Sequence, residues 1–164
     1  MSLKDNEVNV TEENVIEGLE IVTEKATELD KKKFFKMLAG AEEGLNLTIE
    51  RIGNTYISKF KNDKGIRPSG CFIDYSFTKG SKSYEVGISY NLGKPVAEET
   101  FLLTSNMNIF KILEVANPDL KKADKVKVTK KFIEDSLTGI SFKAEVGSSY
   151  NGGFLIEPVE LLEG

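Results

Sequence analysis

Few residues in this chain are equipped for covalent or proton-transfer chemistry. Its 164 residues include no histidine and one cysteine. The commonest general base near neutral pH is therefore missing, and a structural zinc site has almost no ligands left. No GxGxxG or Walker phosphate loop, GxSxG elbow, CxxC pair or spaced acidic calcium loop is present. Cys71 opens an apolar stretch without a histidine to activate it, which reads as a buried small hydrophobe. Asp74 and Glu85 are placed to face each other across a hairpin, but such charged pairs are far commoner on a solvated sheet face than in a reaction centre. The expectation is a protein that binds rather than catalyses, with no cofactor and no metal.

The middle of the chain offers a different chemistry. Tyr56, Phe60, Phe72, Tyr75, Phe77, Tyr84 and Tyr90 are interleaved with Lys59, Lys61, Lys64, Arg67, Lys79, Lys82 and Lys94. Between residues 59 and 94, seven basic residues stand against three acids, a local balance of +4 in a chain of net charge −4. Single-stranded nucleic acid is held by this combination, in which rings stack bases at about 1–3 kcal/mol each and cations follow the phosphates. Alternation sorts the rings: Ile73, Tyr75 and Phe77 share one face of their strand, and Phe72, Asp74 and Ser76 the other. Tyr84, Val86, Ile88 and Tyr90 align opposite Glu85, Gly87 and Ser89. Phe72, among polar neighbours, is the better candidate for an exposed platform. The candidate nucleic-acid-binding residues are Lys59, Lys61, Lys64, Arg67, Phe72, Lys79, Lys82 and Tyr84. The alternative is that all seven rings fill a β core.

The elements that must position these residues follow from periodicity. Thr11 reads as an N-cap with Glu12 and Glu13 in the favourable first turn, and Val15, Leu19, Val22, Ala26 and Leu29 form a helical stripe. Asp30 is placed to cap a second short helix through Phe34, Phe35, Met37 and Leu38 to Gly40, or the two form one bent helix. From Leu45 the period changes to two. Leu45, Leu47 and Ile49 lead to a turn at Gly53-Asn54 and then Tyr56, Ser58 and Phe60, which reads as a hairpin. A polar loop over 61–70 precedes a second hairpin, 71–78 with 84–90, and Thr100 to Leu103 is a further strand. Helices follow at Ile109–Ala116, after a cap at Ser105 or Asn106, and from a Thr129 cap to Gly139. Ile140 to Val146 and Phe154 to Val159 read as the last strands, with Pro158 marking an edge or the end of its strand. This order predicts an α+β, mainly β fold: a small antiparallel barrel or sandwich with short helices packed at one end and an N-terminal amphipathic helix.

Length fits one domain, divided into an acidic helical arm over 1–40 and a β-rich domain over 41–164. Residues 1–30 hold nine acids and two lysines, a balance of −7. No run of 18 apolar residues occurs, so no membrane span is expected. The opening residues lack an apolar signal region, and a single cysteine suits a reducing compartment. A cytoplasmic location follows.

The segment from Gly70 to Lys94, GCFIDYSFTKGSKSYEVGISYNLGK, resembles the central hairpin of phage- and prophage-encoded single-stranded-DNA-binding proteins. A Phe101–Ser105 strand, the Ile109–Ala116 helix and Leu137-Thr-Gly-Ile-Ser-Phe-Lys-Ala-Glu-Val146 extend the likeness. That last piece is similar to an L-x-G-x-x-F-x-A-x-V strand entry in those proteins. The resemblance covers roughly residues 66–160 and excludes the acidic arm. It implies an OB-like barrel that binds single-stranded DNA without sequence preference, as a replication or recombination accessory protein in a bacterial host. Replication or recombination proteins, and further copies of the chain, would be its partners. Two rival functions remain open. One is a protein–protein interaction module, or a phage structural or accessory protein, that uses the helix over 11–29. The other is a carboxylate–metal enzyme.

Overall fold

The longest alternation in the chain becomes its longest antiparallel pair. In the computed structural model, which describes residues 26–148 and 152–162, β4 (Ser69–Lys79) and β5 (Lys82–Gly93) pair along their whole length from Gly70↔Asn91 to Lys79↔Lys82. The turn between them is the two residues Gly80 and Ser81, with Gly80 at a φ of 65° that suits glycine. Cys71, Ile73, Tyr75 and Phe77 point to the buried face, matched by Val86, Ile88, Tyr90 and Leu92 on β5. The alternation read from sequence is therefore realised residue by residue.

The other elements in chain order are β1 (Thr27–Glu28), α1 (Lys31–Ala39), β2 (Leu45–Ile52), β3 (Tyr56–Ile57), β6 (Pro95–Ala97), β7 (Thr100–Thr104), α2 (Asn108–Ala116), a 3-10 turn (Pro118–Lys122), β8 (Lys125–Thr129), α3 (Lys130–Leu137), β9 (Ser141–Ser148) and β10 (Phe154–Leu162). The larger sheet runs β1-β5-β4-β2-β9-β10, with β3 also on β4, and β6, β7 and β8 form a smaller sheet. Within the larger sheet β1 is parallel to β5, and the remaining pairs are antiparallel. The molecule is thus α+β and mainly β, with an open mixed sheet. No described helix is long and apolar enough to cross a membrane.

One face of the larger sheet is dry and the other is wet. The three helices contribute to the same core as the inward strand residues: Phe34, Phe35 and Leu38 from α1, Ile109, Phe110, Ile112 and Leu113 from α2, and Ile133 and Leu137 from α3. Phe34 sets its ring edge-on to Phe77 at 5.7 Å. Burying each such side chain contributes about 1.5–3 kcal/mol. Antiparallel sheets tolerate one solvated face, and here that face carries Phe72, Glu85, Gly87 and Ser89.

Several expectations change. Tyr56 does not fold back on β2, so the hairpin at Gly53-Asn54 does not form. β2 and β3 both pair antiparallel to β4, at Ile52↔Ile73 and Tyr56↔Gly70, and therefore run in the same direction along one edge. Gly53 donates its N–H to Phe72 O at 2.8 Å, which keeps the chain on β4 through the interruption. Most of the expected helix over 11–29 lies outside the described residues, but its end is a strand, with Thr27 beside Tyr84. Residues 27–40, assigned by sequence to the arm, lie with the body. β1 extends the larger sheet, and α1 is capped by Asp30 Oδ1 accepting from Lys33 N at 2.7 Å. The N-cap of α2 is Met107, without a side-chain cap, in place of Ser105 or Asn106. Thr129 caps α3 as expected, accepting from Phe132 N at 3.1 Å. β8 occupies part of the stretch between α2 and α3, to which no element was assigned from the sequence, and Pro158 does lie on an edge strand, β10.

Candidate nucleic-acid interface

The wet face of the sheet carries two rings at the end nearest the 58–68 loop. Phe72 projects from β4 and remains 47% exposed, and Tyr56 from β3 remains 37% exposed. Their centroids are 5.5 Å apart with planes 32° from parallel, a geometry in which aromatic pairs attract. Tyr56 reaches diagonally over β4 to hydrogen-bond Ser89 on β5 through its hydroxyl. It can do so because Gly70 lies beneath it. A Cβ there would stand 2.8 Å from Tyr56 Oη and 3.0 Å from Tyr90 O. Gly87 clears the neighbouring space, since a Cβ on it would stand 3.0 Å from Asp74 Oδ1 and 3.8 Å from Phe72 Cδ1. Small residues at register positions beside large ones thus leave room for the two tilted rings. Phe60, in the loop that follows β3, is 81% exposed.

The loop itself is built. Ser58 N donates to Pro68 O and Asn62 N to Ile66 O, both at 2.8 Å. Asn62 Oδ1 accepts from Lys64 N at 2.9 Å and Ile66 N at 3.0 Å, an Asx-type turn completed by Gly65 at a φ of 76°. Arg67 Nη1 donates to Lys59 O at 2.8 Å across the loop. Lys59, Lys61, Lys64 and Arg67 are all exposed. Among the described residues none of the four is ion-paired. Their charge is therefore open to an anionic ligand.

The sequence-predicted residues divide into two groups. Lys59, Lys61, Lys64, Arg67 and Phe72 collect at the loop end of β4. Lys79, Lys82 and Tyr84 lie at the hairpin tip, roughly 33 Å along an eleven-residue strand at about 3.3 Å per residue. Tyr84 is half-buried and stacks on Phe77 at 5.4 Å and 23°, on the core face. The ground between is acidic. Glu28, Glu50, Asp74 and Glu85 surround a hollow of about 390 Å³ on the wet face, with Arg51 the one cation lining it among the described residues. Arg51 is already committed to Asp74 Oδ2, at 2.8 Å from Nη2 and 2.9 Å from Nε. A phosphate chain crossing there would meet uncompensated carboxylates, so the two basic groups do not form one continuous track.

Asp74 stands opposite Gly87, and Glu85 opposite Ser76, so the two carboxylates are not a facing pair. Among the described residues no group of three acidic, cysteine or histidine side chains is arranged to hold a metal ion. Cys71 is fully buried, and desolvation pushes its thiol up to about 11 despite the opposing charge of Lys130. A protonated, inaccessible thiol is a poor nucleophile.

Sequence reasoning gave Tyr56 no place in the site, because its role depends on β3 joining β4 rather than β2. The chain matches no family model, no curated protein and no solved structure.

Proposed function

We propose that this domain binds single-stranded DNA without catalysis, at the loop end of β4. The observation that carries the reading is the exposed Tyr56–Phe72 pair at the end of the sheet that leads into the 58–68 loop, whose four cations make no ion pair among the described residues. Bases would stack on the rings, and Lys59, Lys61, Lys64 and Arg67 would neutralise phosphates. Neither contribution reads base edges, so binding would be indifferent to sequence. The net charge of −4 does not oppose this, because local potential governs the encounter and residues 59–94, Asp63 of the loop included, carry a balance of +4. The OB-like assignment and the accessory role in phage or prophage replication or recombination belong to the same proposal and rest on the resemblance of the 70–94 and 137–146 segments.

A fluorescence-anisotropy titration of labelled oligo-dT at low salt is the direct test. Saturable binding that weakens steeply as salt rises is the expected result. No binding at low salt would remove the proposal.

A further inference from the structure

A second concave surface adjoins the loop. It is a groove of about 1080 Å³ bounded by the start of α1, the 61–67 loop, the end of β5, the turn before α2 and the start of β10. Lys31, Lys64 and Lys111 line it, and no Asp or Glu does so among the described residues. None of the three lysines is ion-paired within the described residues. On a molecule with more acids than bases, a groove whose described lining holds three lysines and no carboxylate favours an anion.

Its amides point the same way. Asn62 Oδ1 accepts from two backbone N–H groups, and Asn91 Oδ1 accepts from Gly93 N at 3.0 Å. Because a backbone N–H can only donate, these bonds fix which side-chain atom is the oxygen. Each Nδ2 is left with no partner among the described residues, so both side chains offer donors. Phe154 supplies the apolar element. It is 57% exposed and backed by Phe35, whose ring stacks behind it at 6.2 Å and 25°. Cations, fixed amide donors and an exposed ring together match an anionic chain carrying flat bases.

We infer that this groove is a second subsite for the same single strand, continuous with the Tyr56–Phe72 surface through Asn62 and Lys64, which belong to the loop and the groove alike. The inference rests on the single-stranded-DNA reading above. Lys31 and Lys111 take phosphates there, and Phe154 stacks a base. The strand then passes around the loop end of the sheet and avoids the acidic middle of the wet face.

The test uses the full chain and an oligo-dT length series in anisotropy titrations. Affinity should rise with length until both subsites are filled. The Lys31→Ala/Lys111→Ala variant should lose that increment and flatten the salt dependence by about 1.4, or about 0.7 for each single-strand contact. Phe154→Leu keeps an apolar contact on Phe35 but removes the π-face, and should weaken long oligonucleotides roughly 5- to 150-fold. Lys121→Ala/Lys122→Ala, on the 3-10 turn, serves as the charge control. If Lys61→Ala/Lys64→Ala/Arg67→Ala weakens binding while Lys31→Ala/Lys111→Ala behaves as the control does, the groove is overturned and the loop site stands. If wild type binds no oligo-dT of any length, both readings fall together.

Discussion

The hydroxyls of Tyr75 and Tyr90 meet 2.6 Å apart in the interior, on adjacent strands, with both side chains buried. Cys71 lies across from Tyr90 in the register and shares the buried face of β4 with Tyr75. Three weakly acidic groups are therefore enclosed together in the core beneath the β4–β5 pair.

Removing one hydroxyl should cost more than removing both. Tyr90→Phe leaves the Tyr75 hydroxyl buried without its partner, a penalty of about 1–3 kcal/mol, whereas replacing both ends of a buried bond approaches neutrality. Urea unfolding of Tyr75→Phe, Tyr90→Phe and the double variant forms the cycle. Additive single effects would show that the two hydroxyls are not coupled.

The same cluster makes the fold sensitive to alkali. Burial raises the pKa of all three groups, Cys71 from 9.0 to about 11 and both tyrosines above 10. Above pH 9 the unfolded chain begins to release its thiol proton while the folded chain keeps it. The folded state then binds more protons, so stability falls as pH rises. The contribution is complete below about pH 9 and lost toward pH 11, with a slope near 1.4 kcal/mol per pH unit for each proton. Denaturation midpoints at pH 8 and pH 10.5 check this, and Cys71→Ala should reduce the slope. A flat profile would contradict it.

Gly70 should tolerate no side chain. The clash of a Cβ with Tyr56 Oη and Tyr90 O leads us to expect Gly70→Ala to destabilise the domain by about 1–3 kcal/mol, as overpacking does, and to displace the Tyr56 ring. Oligo-dT affinity should fall beyond the effect of stability alone when measured on fully folded protein. Unchanged affinity and stability would show that Tyr56 is not held as described.

Charge and stacking at the loop should separate by their salt response. Lys61→Ala/Lys64→Ala/Arg67→Ala should flatten the salt dependence by about 0.7 per lost contact, or about 2 in all, and weaken every sequence alike. Phe72→Ala should lower affinity by about 1–3 kcal/mol while leaving the salt slope nearly unchanged. Since Phe72 is half exposed, circular dichroism should report an intact fold.

A truncation removing residues 1–25 is expected to retain a cooperative thermal transition, because the described residues contain a continuous core from Phe34 to Ile156. Removing 1–30 should cost more. It deletes β1 and the Asp30 cap, the latter worth about 1 kcal/mol. Equal melting temperatures for the two truncations would count against a structural role for residues 26–30.

The alternating pattern by itself determined which residues of β4 and β5 face inward, because strand side chains alternate strictly and one face of this pair is dry. Local chemistry likewise marked the Asp30 and Thr129 caps and the edge strand that carries Pro158. Tertiary structure alone decided which strands pair. Gly53-Asn54-Thr55 carries the composition of a hairpin turn, yet β4 is long enough to accept both β2 and β3 along one edge, and its backbone groups satisfy both. The same choice brings Tyr56 to Phe72 and moves it into the candidate site. Lys125–Thr129 and Pro95–Ala97 were too short for their period to be legible and became strands only when β7 offered partners. Nor could spacing along the chain reveal that Lys79 and Lys82 lie far from Lys61 and Lys64. Residues close in sequence are carried to opposite ends of one extended strand, and Lys31, Lys111 and Phe154, far apart in sequence, meet in one groove.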